Sequence, residues 1–176
     1  MGYPTISNFD IEFIRRTLEN LDSDVKNIYT HRINSFFSTI IIIRQWGIQN
    51  KRNPKFFNQL LSDFRELEFL NTVDFYSDEF NEKIECQKLE SRNHKIDNFT
   101  FGHLFDSLRH SLAHQSFKPT KSFHEWDGVL FRNYRNEEET SKWENNFRTQ
   151  IYLNMKEIKT IMLLAANLYF KEFEHK

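Results

Sequence analysis

Apolar residues recur at steps of three and four positions along most of the chain, which is the spacing of one face of a helix. This pattern predicts a first helix from Ser7 or Asn8, since either side chain can cap its first turn. A second helix is predicted from Ile28 to Trp46, and its largely apolar circumference indicates a central position. A third is predicted to begin at Pro54, with a buried face made of Phe57, Leu60, Leu61, Phe64 and Leu67.

The second half of the chain is predicted to contain two further helices and one pair of strands. Helical periodicity is strong over residues 100–115 and again over residues 153–173. The short apolar runs 128–131 and 150–153 are expected to form a small antiparallel hairpin before the last helix. Between residues 71 and 98 the pattern weakens, which indicates a variable insertion, and a helical stripe there would rest only on Phe80, Ile84 and Leu89.

Composition agrees with a helical reading. The chain has 176 residues, a length that suits a single domain spanning residues 1–176 with one core. It contains 19 Phe against 4 Gly and 3 Pro, which favours long packed elements over a turn-rich β-protein. We therefore predict an all-α fold, a bundle of about five helices that includes the small hairpin.

Charge and cysteine content limit the classes of function. The 24 Lys and Arg residues nearly balance the 25 Asp and Glu residues, so the chain lacks the strong overall positive field of a nonspecific nucleic-acid binder. Any contact with RNA must therefore use a local patch. The single cysteine, Cys86, excludes an intramolecular disulfide and any multi-cysteine zinc motif. The N-terminus has no secretory signal and the longest apolar run is residues 40–43, so we expect a soluble, cytoplasmic protein without a membrane span.

The predicted helix over residues 100–115 carries the candidate chemistry. At about 100° per residue, His103, His110 and His114 share one side of this helix, because steps of seven and four return to nearly the same direction. Arg109 lies on the flank, where its long side chain can reach towards the histidines. The opposite side forms the core stripe Phe101, Leu104, Phe105, Leu108 and Leu112.

The stretch SLRHSLAHQSF resembles the HEPN families, whose signature is an Arg followed by a polar residue and, a few positions later, a His. The matching residues here are Arg109, His110 and His114, and the small Ala113 also fits. The segment FIRRTLENL, the apolar second helix and the final helix are similar to a bacterial HEPN branch in order and spacing. The family more often has Asn or Asp after the Arg, so His110 is a departure that keeps a polar side chain at that position.

The resemblance implies a HEPN-like helical bundle that dimerises and cleaves RNA without a metal or cofactor, as a toxin or defence ribonuclease. His114 would transfer protons, because imidazole titrates near neutral pH. Arg109 would hold the phosphate and the charge that develops on it, and His110 would orient His114 or bind phosphate. Five further residues are candidates to extend the RNA-binding surface: His103, Lys118, Lys121, Arg132 and Arg135.

Three alternatives remain open on the sequence. The histidines could occupy an ordinary solvated helix face, or His110 and His114 could bind zinc with His103 and Asp106 nearby, although the positive charge of Arg109 opposes a cation there. The chain could also be an inactive HEPN module that binds RNA, a nucleotide or a partner protein such as an antitoxin. Some HEPN toxins carry a modifiable Tyr two residues after the His, where this chain has Ser116.

Overall fold

The computed structural model describes residues 9–21, 28–46, 49, 53–77, 82–122, 125–134 and 146–174. Within these residues the α-helices are α1 (Phe9–Glu19), α2 (Ile28–Ile40), α3 (Phe101–Ala113) and α4 (Met155–Phe173). The end of α2 continues directly as a π-helix, Ile41–Trp46. Short 3₁₀ helices occupy Lys55–Asn58, Leu61–Asp63, Arg65–Asn71 and Ile96–Asn98.

A six-stranded antiparallel sheet accounts for much of the remaining described chain. Its strands lie side by side in the order β2, β1, β4, β5, β6, β3. Their bounds are β1 (Val73–Ser77), β2 (Lys83–Gln87), β3 (Leu89–Ser91), β4 (Phe117–Ser122), β5 (Glu125–Asn133) and β6 (Thr149–Asn154).

The prediction of an all-α bundle is therefore wrong. The expected antiparallel pairing of residues 128–131 with residues 150–153 is confirmed, from Gly128 opposite Asn154 to Phe131 opposite Ile151. These two strands are nevertheless the inner part of a larger sheet and not an isolated hairpin. The helical stripe considered for residues 71–98 is also wrong, because this segment contributes β1, β2 and β3. Whether the segment is a variable insertion stays a prediction.

The third predicted helix is broken into 3₁₀ turns by competition from a neighbouring segment. Leu60 is extended, with φ −69° and ψ 147°, and forms a β-bridge with Thr100. The N–H of Leu61 donates to the carbonyl of Phe99 at 2.9 Å, and the N–H of Phe101 donates to the carbonyl of Gln59 at 3.0 Å. Pairing with residues 99–101 thus replaces the continuous α-helical hydrogen bonds. The predicted apolar face is still largely buried, at Phe57, Leu61, Phe64 and Leu67.

The main core lies between the helices and one face of the sheet. The second helix runs from Ile28 to Trp46 as predicted, and its Phe36, Ile40 and Ile43 are fully buried. They pack with core residues of β5, β6, α3 and α4 in one continuous apolar cluster. Helix α3 contacts β5 and α2, so its core stripe is fixed on the sheet while the opposite side is directed away from it. The predicted caps Ser7 and Asn8 lie outside the described residues.

The two edges of the sheet meet at a single residue. Strands β2 and β3 lie at opposite ends of the strand order, yet only Lys88 separates them in the chain. The N–H of Lys88 donates to the carbonyl of Thr72 at 3.0 Å, and the N–H of Tyr152 donates to the carbonyl of Lys88 at 2.9 Å. The sheet therefore curves back on itself. Its inner side holds a second small core of Cys86, Leu130 and Tyr152.

No helix in the described part of the chain combines the length and apolar character that a bilayer span needs.

Candidate active site on helix α3

The first turn of α3 is closed by a reciprocal pair of hydrogen bonds. The hydroxyl of Thr100 accepts from the N–H of His103 at 3.2 Å, and Nδ1 of His103 accepts from the N–H of Thr100 at 3.2 Å. The His103 ring also stacks on His94, with 4.0 Å between ring centroids. His103 is therefore used in capping. His103 lies in the first turn of the helix, about 10 Å along the axis from His110, and is not close to the other two predicted histidines.

The position of His103 in the folded protein makes the free energy of unfolding depend on pH. Burial lowers the pKa of His103 and the charge of His94 lowers it further, while Asp106 opposes both. The unfolded chain therefore takes up a proton on His103 at a higher pH than the folded chain does, and stability falls as the pH drops below about 6.5. We expect His103→Gln, whose amide oxygen can accept the same bond without titrating, to make the fall of stability with decreasing pH shallower.

Urea unfolding of the wild-type and His103→Gln proteins at several pH values between neutral and mildly acidic measures this difference. His31→Gln is the matched control, because His31 lies on α2 and its Nε2 contacts the carbonyl of Asn20. An unchanged slope of stability against pH in His103→Gln would show that protonation of His103 does not control the acid response.

The last turn of α3 places His114 at the surface. The helix ends with the N–H of Ser116 donating to the carbonyl of Ser111 at 2.8 Å and the N–H of Gln115 donating to Leu112 at 3.2 Å. Gln115 adopts a positive φ of 52°, a conformation that is costly for a residue with a side chain. His114 is the residue just before this reversal and its side chain is exposed. Ser116 is buried, and its hydroxyl donates to the carbonyl of Ser111.

Three of the predicted residues form one cluster at this end of the helix. Nη2 of Arg109 lies 2.9 Å from Nε2 of His110. The rings of His110 and His114 are nearly parallel, with an angle of 8° and 6.1 Å between centroids. Arg109 and His110 are half-buried, and among the described residues the Nε of Arg109 is buried without a hydrogen-bond partner. The structure thus brings Arg109, His110 and His114 together.

Positive charge dominates the surroundings of His110. Burial lowers the pKa of His110, the guanidinium of Arg109 lowers it further, Asp106 opposes this, and His114 and Arg148 add smaller contributions in the lowering direction. Arg148 was not among the predicted site residues. It is exposed just before β6, near enough for its charge to lower the pKa of His110. Nothing in the sequence near residue 110 indicates this approach, because it depends on the packing of the sheet against the helix.

A second pair of residues missed by the sequence reading holds α3 against the π-helix. Arg44 donates to both oxygens of Asp106, with Nε to Oδ1 at 2.5 Å and Nη2 to Oδ2 at 2.6 Å. The guanidinium also lies over the ring of Phe57, 5.0 Å from its centroid. Asp106 is one turn before His110 on the same helix. This bidentate pair fixes the rotation of α3 and neutralises the acidic group that is nearest in sequence to the cluster.

The other residues predicted to bind RNA lie in different environments. Lys118 is exposed and Lys121 half-buried, both on β4, which follows the site directly. Arg132 on β5 is buried, its Nε donates to Gln150 at 2.8 Å, and it lies over the ring of Phe147. Arg135 lies outside the described residues. Phe117 packs edge-on against Phe37.

The zinc alternative finds little support in this geometry, and Cys86 is not placed to act as a nucleophile. Asp106 is held by Arg44, and His103 lies about 10 Å from His110 along the helix axis, so neither joins His110 and His114 in a zinc site. Among the described residues, no three His, Cys, Asp or Glu side chains are grouped to hold a metal ion. Burial raises the pKa of Cys86 to about 11, which keeps the thiol protonated at neutral pH.

Comparison with known families decides the assignment. The family described as HEPN pEK499 p136 matches residues 1–176. The chain belongs to this family. No curated protein and no solved structure gave a match. Membership of a HEPN family suggests a nuclease or another RNA-related function, since HEPN domains are often ribonucleases and often dimerise and bind RNA. The HEPN resemblance predicted from SLRHSLAHQSF is thereby confirmed.

Proposed function

We propose that this HEPN protein is a metal-independent endoribonuclease whose active site is the cluster of Arg109, His110 and His114. The observation that carries the proposal is the geometry of this cluster: a guanidinium 2.9 Å from one imidazole, and a second imidazole parallel to the first at 6.1 Å. The cluster lies at the surface end of a helix that is fixed by its core stripe and by Arg44. RNA cleavage needs these chemical groups and little else.

RNA supplies its own nucleophile, the 2′-hydroxyl, so the protein must manage protons and negative charge. An imidazole can remove the 2′-hydroxyl proton or protonate the departing 5′-oxygen, and His114 is exposed where a substrate can reach it. Arg109 offers a planar cationic fork to the phosphate oxygens and to the charge that develops on them. The products would be a 2′,3′-cyclic phosphate and a 5′-hydroxyl.

A homodimer is part of the proposal. One chain supplies one cluster, while in-line displacement is favoured by proton-transfer groups on both sides of the scissile bond. Two copies related by a two-fold axis would place two clusters at one cleft and double its positive charge, which suits a chain of near-neutral net charge. Arg148, whose charge acts on His110, and the exposed Lys118 on β4 would extend that surface. A toxin or defence role, with an antitoxin or other protein partner, belongs to the same proposal.

The proposal is tested by incubating the purified protein with structured and unstructured RNA in the presence of EDTA. We expect cleavage, with fragments that carry cyclic phosphate and 5′-hydroxyl ends. If EDTA abolishes cleavage and zinc restores it, the metal-independent mechanism is wrong. If RNA binds without being cut under every condition, the chain is instead a HEPN binding module.

A further inference from the structure

The contact between Arg109 and His110 fixes the protonation state of His110. A guanidinium has only donors and stays protonated, so Nη2 of Arg109 donates and Nε2 of His110 accepts, at 2.9 Å. A nitrogen that accepts carries no proton. His110 is therefore neutral in the free protein, with its proton on Nδ1, and the lone pair that could act as a base is covered by its own neighbour in the chain.

We infer that RNA itself uncovers this base: a phosphate that takes the guanidinium of Arg109 releases Nε2 of His110, which then accepts the 2′-hydroxyl proton. The inference rests on the proposed ribonuclease function and adds to it a role for His110 and a regulation of the site. Without a phosphate at Arg109, the base stays covered and the cluster is inactive.

Phosphate is the stronger partner for Arg109. A bidentate, charge-assisted pair between a guanidinium and an anion is roughly twice as strong as a hydrogen bond to a neutral acceptor. The Nε of Arg109 is buried and has no hydrogen-bond partner among the described residues. The guanidinium therefore has an N–H donor that His110 does not use. An oxyanion can satisfy two donors of this fork at once, which the single lone pair of Nε2 cannot do.

The proton balance of the step is complete within RNA and the two histidines. The 2′-hydroxyl proton moves to Nε2 of His110, which becomes an imidazolium, and the 2′-oxygen forms a bond to phosphorus. The bond from phosphorus to the 5′-oxygen breaks, and that oxygen takes a proton from a protonated His114. Water then returns His110 and His114 to their starting states.

The charged groups around His110 determine whether phosphate binding raises or lowers its affinity for a proton. Arg109 and His114 on α3 and Arg148 before β6 disfavour the imidazolium, while Asp106 on α3 favours it. A phosphate that neutralises Arg109 removes the largest of these charge effects and adds a negative charge nearby. The affinity of His110 for a proton must then rise, which is what a base requires during the reaction.

The test follows the two ring nitrogens of His110 by ¹⁵N NMR in the full chain, using a short 2′-O-methyl oligoribonucleotide that binds like RNA but has no reactive hydroxyl. We expect the Nδ1–H form in the free protein. Adding the oligonucleotide should raise the titration midpoint of His110 by about one pH unit or more. In Arg109→Ala the midpoint should already be raised, and the oligonucleotide should shift it little. His94→Gln is the control and should behave as wild type.

Three results would overturn the inference. The first is an Nε2–H form of His110 in the free protein. The second is an oligonucleotide that binds without moving the His110 midpoint, and the third is an His110→Ala protein that cuts RNA at the wild-type rate. Failure of the proposed function is seen separately, as an absence of cleavage by wild type, whereas the first two results are read from spectra and do not depend on activity.

Discussion

Alanine in place of His114 is expected to slow RNA cleavage by about 10²- to 10⁴-fold, which is the contribution of a positioned proton-transfer group. The side chain is exposed at the end of α3, so its removal leaves no core cavity and the thermal unfolding midpoint should stay close to that of wild type. Single-turnover cleavage in EDTA measures the chemical step. Cleavage by His114→Ala at the wild-type rate would remove this residue from the mechanism.

Arg109 is also expected to be required for cleavage, and two substitutions of this residue separate the effect of its charge from that of its planar shape. Arg109→Ala should lose about 10²- to 10³-fold, as expected when a donor to a developing oxyanion is removed. Arg109→Lys keeps the positive charge but not the planar fork, so it should recover RNA binding better than cleavage. His94→Ala removes an exposed imidazole that contacts His103 and not the cluster, and it should cut normally. Full activity in Arg109→Lys would show that charge alone suffices.

The candidate cluster could be predicted from sequence because it is local. Arg109, His110 and His114 lie within two turns of one helix, and helical periodicity fixes which of its side chains share a side. The same reasoning misplaced the role of His103, which shares their azimuth but caps the first turn. A signal for this was present, since Thr100 precedes His103 by three residues, the spacing of a capping box.

The rest of the site depends on contacts between distant segments. Arg44 on the π-helix pairs with Asp106 on α3, and the charge of Arg148, just before β6, acts on His110. The first depends on how two helices pack and the second on how the sheet lies against α3, and spacing along the chain indicates neither. This part of the site could be found only once the tertiary structure was known.

The sheet was missed partly because β1, which lies beside the edge strand β2, presents its apolar residues to solvent. On β1 the apolar Val73 and Phe75 are 55% and 44% exposed, while the alternate residues Asp74 and Tyr76 are directed to the inner side. The nearby Lys88 is buried, although lysine is almost never buried without a partner. Strands as short as β1, β2 and β3, with several polar and charged residues among them, carry too little apolar periodicity to predict strands.

Loss of the buried Lys88 side chain is expected to destabilise the fold strongly. Its Nζ lies 2.6 Å from Oε1 of Glu157 on α4 and 2.8 Å from Oδ2 of Asp74 on β1, and its side chain is only 3% exposed. It therefore ties the hairpin of β1 and β2 to the first turn of α4 at the point where the two edges of the sheet meet. We expect Lys88→Met to lower the free energy of unfolding by about 3 to 5 kcal/mol, as when one partner of a buried ion pair is removed.

Substitutions of the two carboxylates distinguish the cost of an unpaired charge from the cost of lost packing. Glu157 is 12% exposed, so without Lys88 it is a poorly solvated anion, and adding Glu157→Gln to Lys88→Met should recover part of the lost stability. Asp74 is 40% exposed, and Asp74→Asn alone should cost at most about 1 kcal/mol. Urea unfolding curves of these variants give the comparison. A Lys88→Met protein within about 1 kcal/mol of wild type would mean that the sheet closes without this ion pair, and that the hydrogen bonds from the Lys88 backbone hold its edges together.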